Sequence, residues 1–193
     1  KEEIPILITE RKSRRSYPHA NIASQTIGFT NTDDSGLVGI ERQFEKFLSG
    51  TNGWIVKQVN VAGKKGKYHK SSFPIKKPID GSNIQLTIDI EYQSILQEEL
   101  QRRIDESNAK GAMGILMNPQ NGNILAMASL PDFDLNNPNI FPLENQKNKI
   151  ITDQFEPGST FKFVAATAAL ESGKISLLDE FNCEEGKVVI DGW

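Results

Sequence analysis

Two apolar runs, Ala112–Met117 and Ile124–Leu130, flank the segment Pro119-Gln120-Asn121-Gly122. Asn-Gly favours the positive φ of a tight reversal, so the runs are predicted to form a buried antiparallel hairpin. Just upstream, Tyr92, Leu96, Leu100 and Ile104 recur every fourth residue beside Ile95, which gives a helix one apolar face. Asp89 stands where that helix needs a cap, and residues 84–88 before it have the composition of a strand. A helix feeding an antiparallel hairpin is an α+β arrangement, and it restricts the rest of the chain to elements that can cover those apolar faces. Downstream, residues 131–142 with Asn136-Asn137-Pro138 read as loop, and residues 161–170 as an apolar, alanine-rich helix closed near Gly173.

The first 80 residues differ in character. Turn residues separate short apolar pieces at 4–8, 27–29, 36–41 and 54–61, which predicts an irregular, mostly β region. Phe44, Phe47 and Leu48 lie at helical spacing before Gly50, so one short helix is expected over residues 41–48. Residues 57–77 contain seven lysines and no acid, interrupted by Gly63, Gly66 and Pro74; a solvated hairpin accounts for them. At Pro78-Ile79-Asp80-Gly81 the composition changes, which places a domain boundary between residues 1–80 and 81–193.

Composition narrows the function classes. With 193 residues, 37% hydrophobic and 24% charged, the chain can bury a core and is not disordered. A net charge of −3 gives no global basic field, so nucleic acid is excluded as an expected partner. His19, His69 and Cys183 have no mutual spacing suited to a metal, and no metal or other cofactor is expected. No apolar run reaches the roughly 18 residues of a membrane span. The sequence opens on Lys1-Glu2-Glu3 rather than on a leader, so any leader or anchor is expected upstream of it.

Chemistry concentrates at Phe155-Glu156-Pro157-Gly158-Ser159-Thr160-Phe161-Lys162, which contains Ser-x-x-Lys. The pattern alone is weak: this composition produces about one accidental match, and Ser107-Asn108-Ala109-Lys110 at the polar end of a helix is read as one. Ser159 is different because Pro157-Gly158 delivers it to the first turn of a helix, where unpaired N–H groups can stabilise an oxyanion. Lys162 returns to the same face three residues on. Phe161, Phe163, Val164 and Ala165 are expected to surround its stem and desolvate the ammonium, favouring the neutral amine that can serve as a base toward a hydroxyl. The bland alternative makes Ser159 a helix cap and Lys162 a snorkelling surface residue.

From about Arg14 onward the sequence resembles a class B penicillin-binding protein. The resemblance rests on Arg15-Ser16-Tyr17-Pro18, Ile27-Gly28-Phe29, Gly36-Leu37-Val38-Gly39-Ile40-Glu41, Leu48-Ser49-Gly50, Leu86-Thr87-Ile88-Asp89, Ile124-Leu125-Ala126-Met127-Ala128 and the Ser159 segment. Gly28-Phe29-Thr30-Asn31 and Thr152-Asp153-Gln154-Phe155-Glu156-Pro157 resemble the division-specific branch. The resemblance implies a non-catalytic pedestal followed by the first part of a transpeptidase domain, an antiparallel sheet flanked by helices. It implies a peptidoglycan D,D-transpeptidase whose Ser159 is acylated by a stem peptide and whose Lys162 moves the protons. Stem peptides, β-lactams and membrane division proteins are the implied partners. The implied location is the bacterial cytoplasmic membrane, reached through an upstream anchor, with the catalytic domain outside the cytoplasm.

Arg15 and Glu41 resemble pedestal motif residues and are expected to pair. The family's Ser-x-Asn and Lys-Thr/Ser-Gly motifs do not occur before Trp193, so residues 1–193 alone are expected to be inactive. Two other readings compete. A serine β-lactamase shares Ser-x-x-Lys but has no place for the pedestal motifs, and a non-enzymatic wall-binding or β-lactam-sensing module would hold ligand without turnover.

Overall fold

The computed structural model describes residues 14–56, 58–59, 67–68, 74–182 and 186. The segment 4–8, His69, Cys183 and most of the lysine-rich stretch lie outside the described residues. The chain divides into two compact units, residues 1–153 and 154–193. Helices and small antiparallel sheets make the fold α+β, as the sequence predicts.

In the first unit, α1 (Ser24–Ile27), α2 (Gly39–Gln43) and α3 (Glu45–Leu48) precede four two-residue strands. β1 (Trp54–Ile55) pairs with β4 (Ile75–Lys76), and β2 (Gln58–Val59) with β3 (Lys67–Tyr68), both antiparallel. The helix expected at 41–48 is broken at Phe44, whose φ of −113° interrupts the ladder between α2 and α3, and Gly50 follows with φ 63°. At Gly28 (φ 75°) and Gly39 (φ 62°) the turns after α1 and into α2 meet main chain to main chain. A Cβ on Gly28 would lie 1.9 Å from the Val38 carbonyl oxygen, so glycine is required there by space as well as by φ.

Helix α4 (Ile90–Ser107) starts at Asp89, whose carboxylate accepts from the N–H groups of Glu91 and Tyr92 at 2.9 and 3.3 Å. Residues 84–88 are not a strand. The segment is tied to the hairpin by two bonds, from Thr87 Oγ1 to the Ile124 carbonyl at 2.6 Å and from the Asp89 N–H to the Leu125 carbonyl at 2.8 Å. Composition alone cannot supply the ladder that a strand needs.

β5 (Ala112–Met117) and β6 (Ile124–Leu130) form the predicted antiparallel hairpin, with an irregularity between Leu116 and Met117. Gly122 takes the expected positive φ, and its N–H donates to the Asn118 carbonyl at 2.8 Å. Burial is uneven: Ala126, Ala128, Ser129 and Leu130 of β6 are buried, whereas Met113, Ile115, Leu116 and Met117 of β5 are exposed. Helix α4 lies close on Gly114, where a Cβ would come within 2.9 Å of Leu96 Cδ1.

The predicted apolar stripe of α4 is only partly used. Leu96 and Leu100 flank Gly114, but Tyr92 and Ile95 are exposed, and the residues buried on α4 are Gln93 and Gln97. Gln93 behaves as a piece of strand. Its amide donates to the Met127 carbonyl at 2.9 Å and accepts from the Met127 N–H at 2.8 Å, satisfying main-chain groups of β6 that face away from β5. Gln97 accepts from the Ala23 N–H at 3.1 Å and donates to Asp132 at 2.8 Å and to the Asn21 carbonyl at 3.2 Å. Gln25 donates to the carbonyls of Ser129 and Asn145, both at 2.9 Å. Burial raises the Asp132 carboxyl above the usual carboxylate range, against the pull of the donors from Asn21 and Gln97.

The stretch expected to be plain loop supplies the apolar core. Phe133 and Leu135 pack with Phe29, and the Phe29 and Phe133 rings meet edge to face with centroids 5.8 Å apart. Two 3₁₀ turns, Pro138–Ile140 and Leu143–Gln146, and α5 (Lys149–Thr152) complete the unit. In the second unit a 3₁₀ turn, Gly158–Phe161, runs into α6 (Lys162–Glu171), and Gly173 follows with φ 68°.

Because Gln93 partners both the N–H and the C=O of Met127, Gln93→Leu should destabilise the protein by about 1–3 kcal/mol although it adds apolar bulk. Urea unfolding of wild type and variant measures this. A ΔΔG below about 0.5 kcal/mol would mean that water replaces the amide.

Candidate active site

Ser159 and Lys162 stand at the junction of the 3₁₀ turn and α6, and both line one shallow depression with Thr160, Phe163 and Ala166. Gly158 adopts φ 55°, and the following turn is closed by the Thr160 N–H donating to the Pro157 carbonyl at 3.2 Å. The Thr160 hydroxyl donates to the same carbonyl. The Lys162 N–H donates to the Ser159 carbonyl, so one helical turn fixes the spacing of the two residues. Thr160 and Lys162 thus spend two of the first-turn donors, while among the described residues the Ser159 N–H makes no hydrogen bond and faces no competitor for an oxyanion.

The expected desolvation of Lys162 is not found. Lys162 is exposed, and the apolar residues expected around its stem are exposed with it: Phe161 is 60%, Val164 56% and Phe163 80% accessible. Phe161, in the turn before α6, and Phe163 and Val164 on it leave the lysine exposed, because adjacent positions on a helix point about 100° apart and cannot enclose a neighbour. Among the described residues no hydrogen bond joins Ser159 Oγ to Lys162 Nζ. No group of His, Cys, Asp or Glu suited to a metal occurs among the described residues, and His19 is exposed.

In the first unit Arg15 and Glu41 pair as expected. Arg15 Nε lies 3.0 Å from Glu41 Oε1, and Arg15 Nη2 donates to Glu41 Oε2 at 3.3 Å, a two-pronged contact on a carboxylate whose side chain is only 9% exposed. Tyr17 is a third member that sequence reasoning did not assign. Its hydroxyl donates to Glu41 Oε1 at 3.3 Å and accepts from the Thr30 N–H at 3.1 Å. The signal was present, since Tyr17 follows Arg15 by two residues and so reaches the same side of an extended segment. Asn136 holds that segment in place by accepting from the Tyr17 N–H at 3.1 Å and donating to the Tyr17 carbonyl at 2.8 Å.

Residues 1–86 match the penicillin-binding protein dimerisation domain, and residues 112–193 match the penicillin binding protein transpeptidase domain. Stage V sporulation protein D of Bacillus subtilis is 33% identical over 181 residues, covering 93% of this chain and 28% of the relative. Peptidoglycan D,D-transpeptidase FtsI of Buchnera aphidicola is 36% identical over 173 residues, covering 90% and 30%. The crystal structure of penicillin binding protein 3 from Mycobacterium tuberculosis, complexed with aztreonam, superposes with a TM-score of 0.65 at 28% identity, covering 83% of this chain and 32% of that one. The two domain types occur here in one chain, in the order found in a pedestal followed by a transpeptidase fold. The chain belongs to the class B penicillin-binding proteins. It spans less than a third of the length of these curated relatives.

Burial, and then the Glu41 charge, raise the Tyr17 phenol above its usual value of 10.0. Its proton is held more tightly in the folded state, so this contribution to stability is complete below pH 10 and is lost as pH rises from there through the raised folded value. Stability measured from pH 8 to 11.5 should fall more steeply in wild type than in Tyr17→Phe. Parallel curves would mean that folding does not raise the phenol.

Proposed function

We propose that this chain carries the nucleophile and base of a peptidoglycan D,D-transpeptidase acting in septal wall synthesis, with Ser159 the nucleophile and Lys162 the base. The observation that carries the reading is the placement of both groups one turn apart in one depression, within the segment that matches the transpeptidase domain. Ser159 Oγ attacks the carbonyl of the penultimate D-Ala while its proton passes to Lys162. The terminal D-Ala then leaves as an amine after taking that proton, which yields a serine ester. An amine of a neighbouring stem peptide attacks the ester, a peptide bond forms, and the Ser159 hydroxyl is restored. The Ser159 N–H is positioned to donate to the oxygen that becomes negative. A β-lactam carbonyl would enter the same chemistry.

The exposure of Lys162 fits this reading when α6 is covered. Phe161, Phe163 and Val164 are apolar and exposed, and a helix apolar around its circumference is suited to burial. The chemistry therefore belongs to the whole domain. The proposed pedestal ends near Asp80 and the transpeptidase domain starts after it, in keeping with the residues matched by the two domain families. We place the protein at the cytoplasmic membrane with this domain outside the cytoplasm, alongside membrane division proteins; among the described residues no helix is long and apolar enough to cross a membrane.

In the full-length protein, fluorescent penicillin should label the wild type, Ser159→Ala should abolish labelling, and Lys162→Met should slow acylation at least about 10²-fold while the fold persists. Labelling that survives Ser159→Ala would reject the assignment. Labelling without cross-linking of peptide substrates would favour the sensing module. Because Lys162 stands in solvent in residues 1–193, that polypeptide alone should accumulate little adduct over the time in which full-length protein is saturated. Rapid stoichiometric acylation of it, read by mass spectrometry, would show that α6 needs no cover.

A further inference from the structure

Charge is distributed very unevenly along this chain. Residues 46–79 carry eight of its 22 basic side chains and none of its 25 acidic ones, so the remaining sequence is strongly acidic. The described ends of this stretch form the β1–β4 ribbon, in which Trp54 stands opposite Lys76 and Ile55 opposite Ile75. Directly opposed residues share a face, so one face presents Trp54 with Lys76 and the other presents Ile55 with Ile75. Both faces are open to solvent: Trp54 is 53%, Ile55 42% and Ile75 55% exposed, and Ile79, bridged to Thr51 just beyond, is 64% exposed. Lys76 and Lys77 are exposed as well.

A protein partner seated on a sheet covers one face and leaves the other polar, whereas this ribbon carries a large apolar side chain on each face, with Lys76 beside Trp54. A soluble polyanion would use the lysines and leave tryptophan and isoleucine in water. The headgroup layer of a bilayer satisfies both requirements, because it surrounds an element that dips into it, accepts Trp and Ile at the acyl boundary, and offers phosphates to lysine. We propose that the β1–β4 ribbon is an interfacial membrane-docking element for anionic phospholipid, with Trp54, Ile55, Ile75 and Ile79 as its apolar wedge and Lys76 and Lys77 as headgroup contacts. The acidic remainder of the chain is repelled by the same surface, so the charge asymmetry orients the protein with this ribbon toward the lipid. The assignment is independent of the Ser159 chemistry.

The test is co-sedimentation of the 193-residue chain with phosphatidylcholine vesicles, with and without 30% phosphatidylglycerol. Binding should require phosphatidylglycerol, weaken in 0.5 M NaCl, and fall at least about tenfold in K76E/K77E, whose substitutions lie in exposed positions. Trp54 emission, read in a Trp193→Phe background, should shift to the blue on binding. Equal binding to both vesicle types, unchanged affinity of K76E/K77E, or unshifted Trp54 emission would overturn the proposal. So would capture of the chain by soluble polyphosphate with no binding to vesicles, which would make the patch a polyanion site.

Discussion

A buried amide costs several kcal/mol unless each of its polar atoms finds a partner, and the first unit is organised around meeting that condition for Gln93, Gln97 and Gln25. Apolar side chains could fill the same volume, but they would not dictate which backbone lies against which. Gln93 selects Met127 on β6, Gln97 selects Ala23, Asn21 and Asp132, and Gln25 selects Ser129 and Asn145. Each contact joins elements distant in sequence, so the N-terminal segment, α4, the hairpin and the 132–145 connection have one mutual arrangement. Hydrogen bonds in such a network polarise one another in a low dielectric, and a slip of one residue would leave several groups unpaired at once.

The placement of the Arg15 and Glu41 pair depends on that arrangement. Asn136 fixes the main chain at Tyr17, and Asn136 belongs to the same connection that supplies Phe133 and Leu135 to the core. Arg15 and Tyr17 then converge on Glu41, which gains a guanidinium and a phenol in exchange for its hydration. Arg15 remains 40% exposed, so the pair contributes less to stability than its geometry suggests. Its larger role is specification, since a buried carboxylate tolerates few alternative positions for its partners.

What the sequence made legible were features with local causes. The Asn121-Gly122 reversal, the Asp89 cap, the Gly173 stop and the Ser159 to Lys162 spacing each depend on a few neighbouring residues, and each is found. Residues 84–88 were misread because apolar composition does not reveal whether a partner strand exists. The stripe on α4 was misread because periodicity counts glutamine as a surface residue, whereas here two glutamines are buried by partners more than 30 residues away. The segment holding Phe133 and Leu135 looked like loop because Pro and Asn dominate it, yet irregular backbone can carry core side chains when its own polar groups are satisfied locally. Asp134 does that for the Asn136 N–H through its carboxylate at 2.8 Å and for the Asn137 N–H through its carbonyl at 3.1 Å.

The same division between local and long-range causes runs through the candidate site and bears on how reactivity is controlled. Spacing between Ser159 and Lys162 is a property of one helical turn and forms whenever that turn forms. The dielectric around Lys162 is not local, because Phe163 and Val164 on its helix and Phe161 just before it are themselves exposed and do not enclose it. In the proposed reaction a lysine serves as base only as the neutral amine, a form that cover from elsewhere in the folded domain would favour. Lys162 is the first residue of α6, so whatever buries the apolar face of α6 also excludes water from the start of the helix. Under the proposed assignment, covering the apolar side chains of α6 and drying the start of that helix are then one physical event.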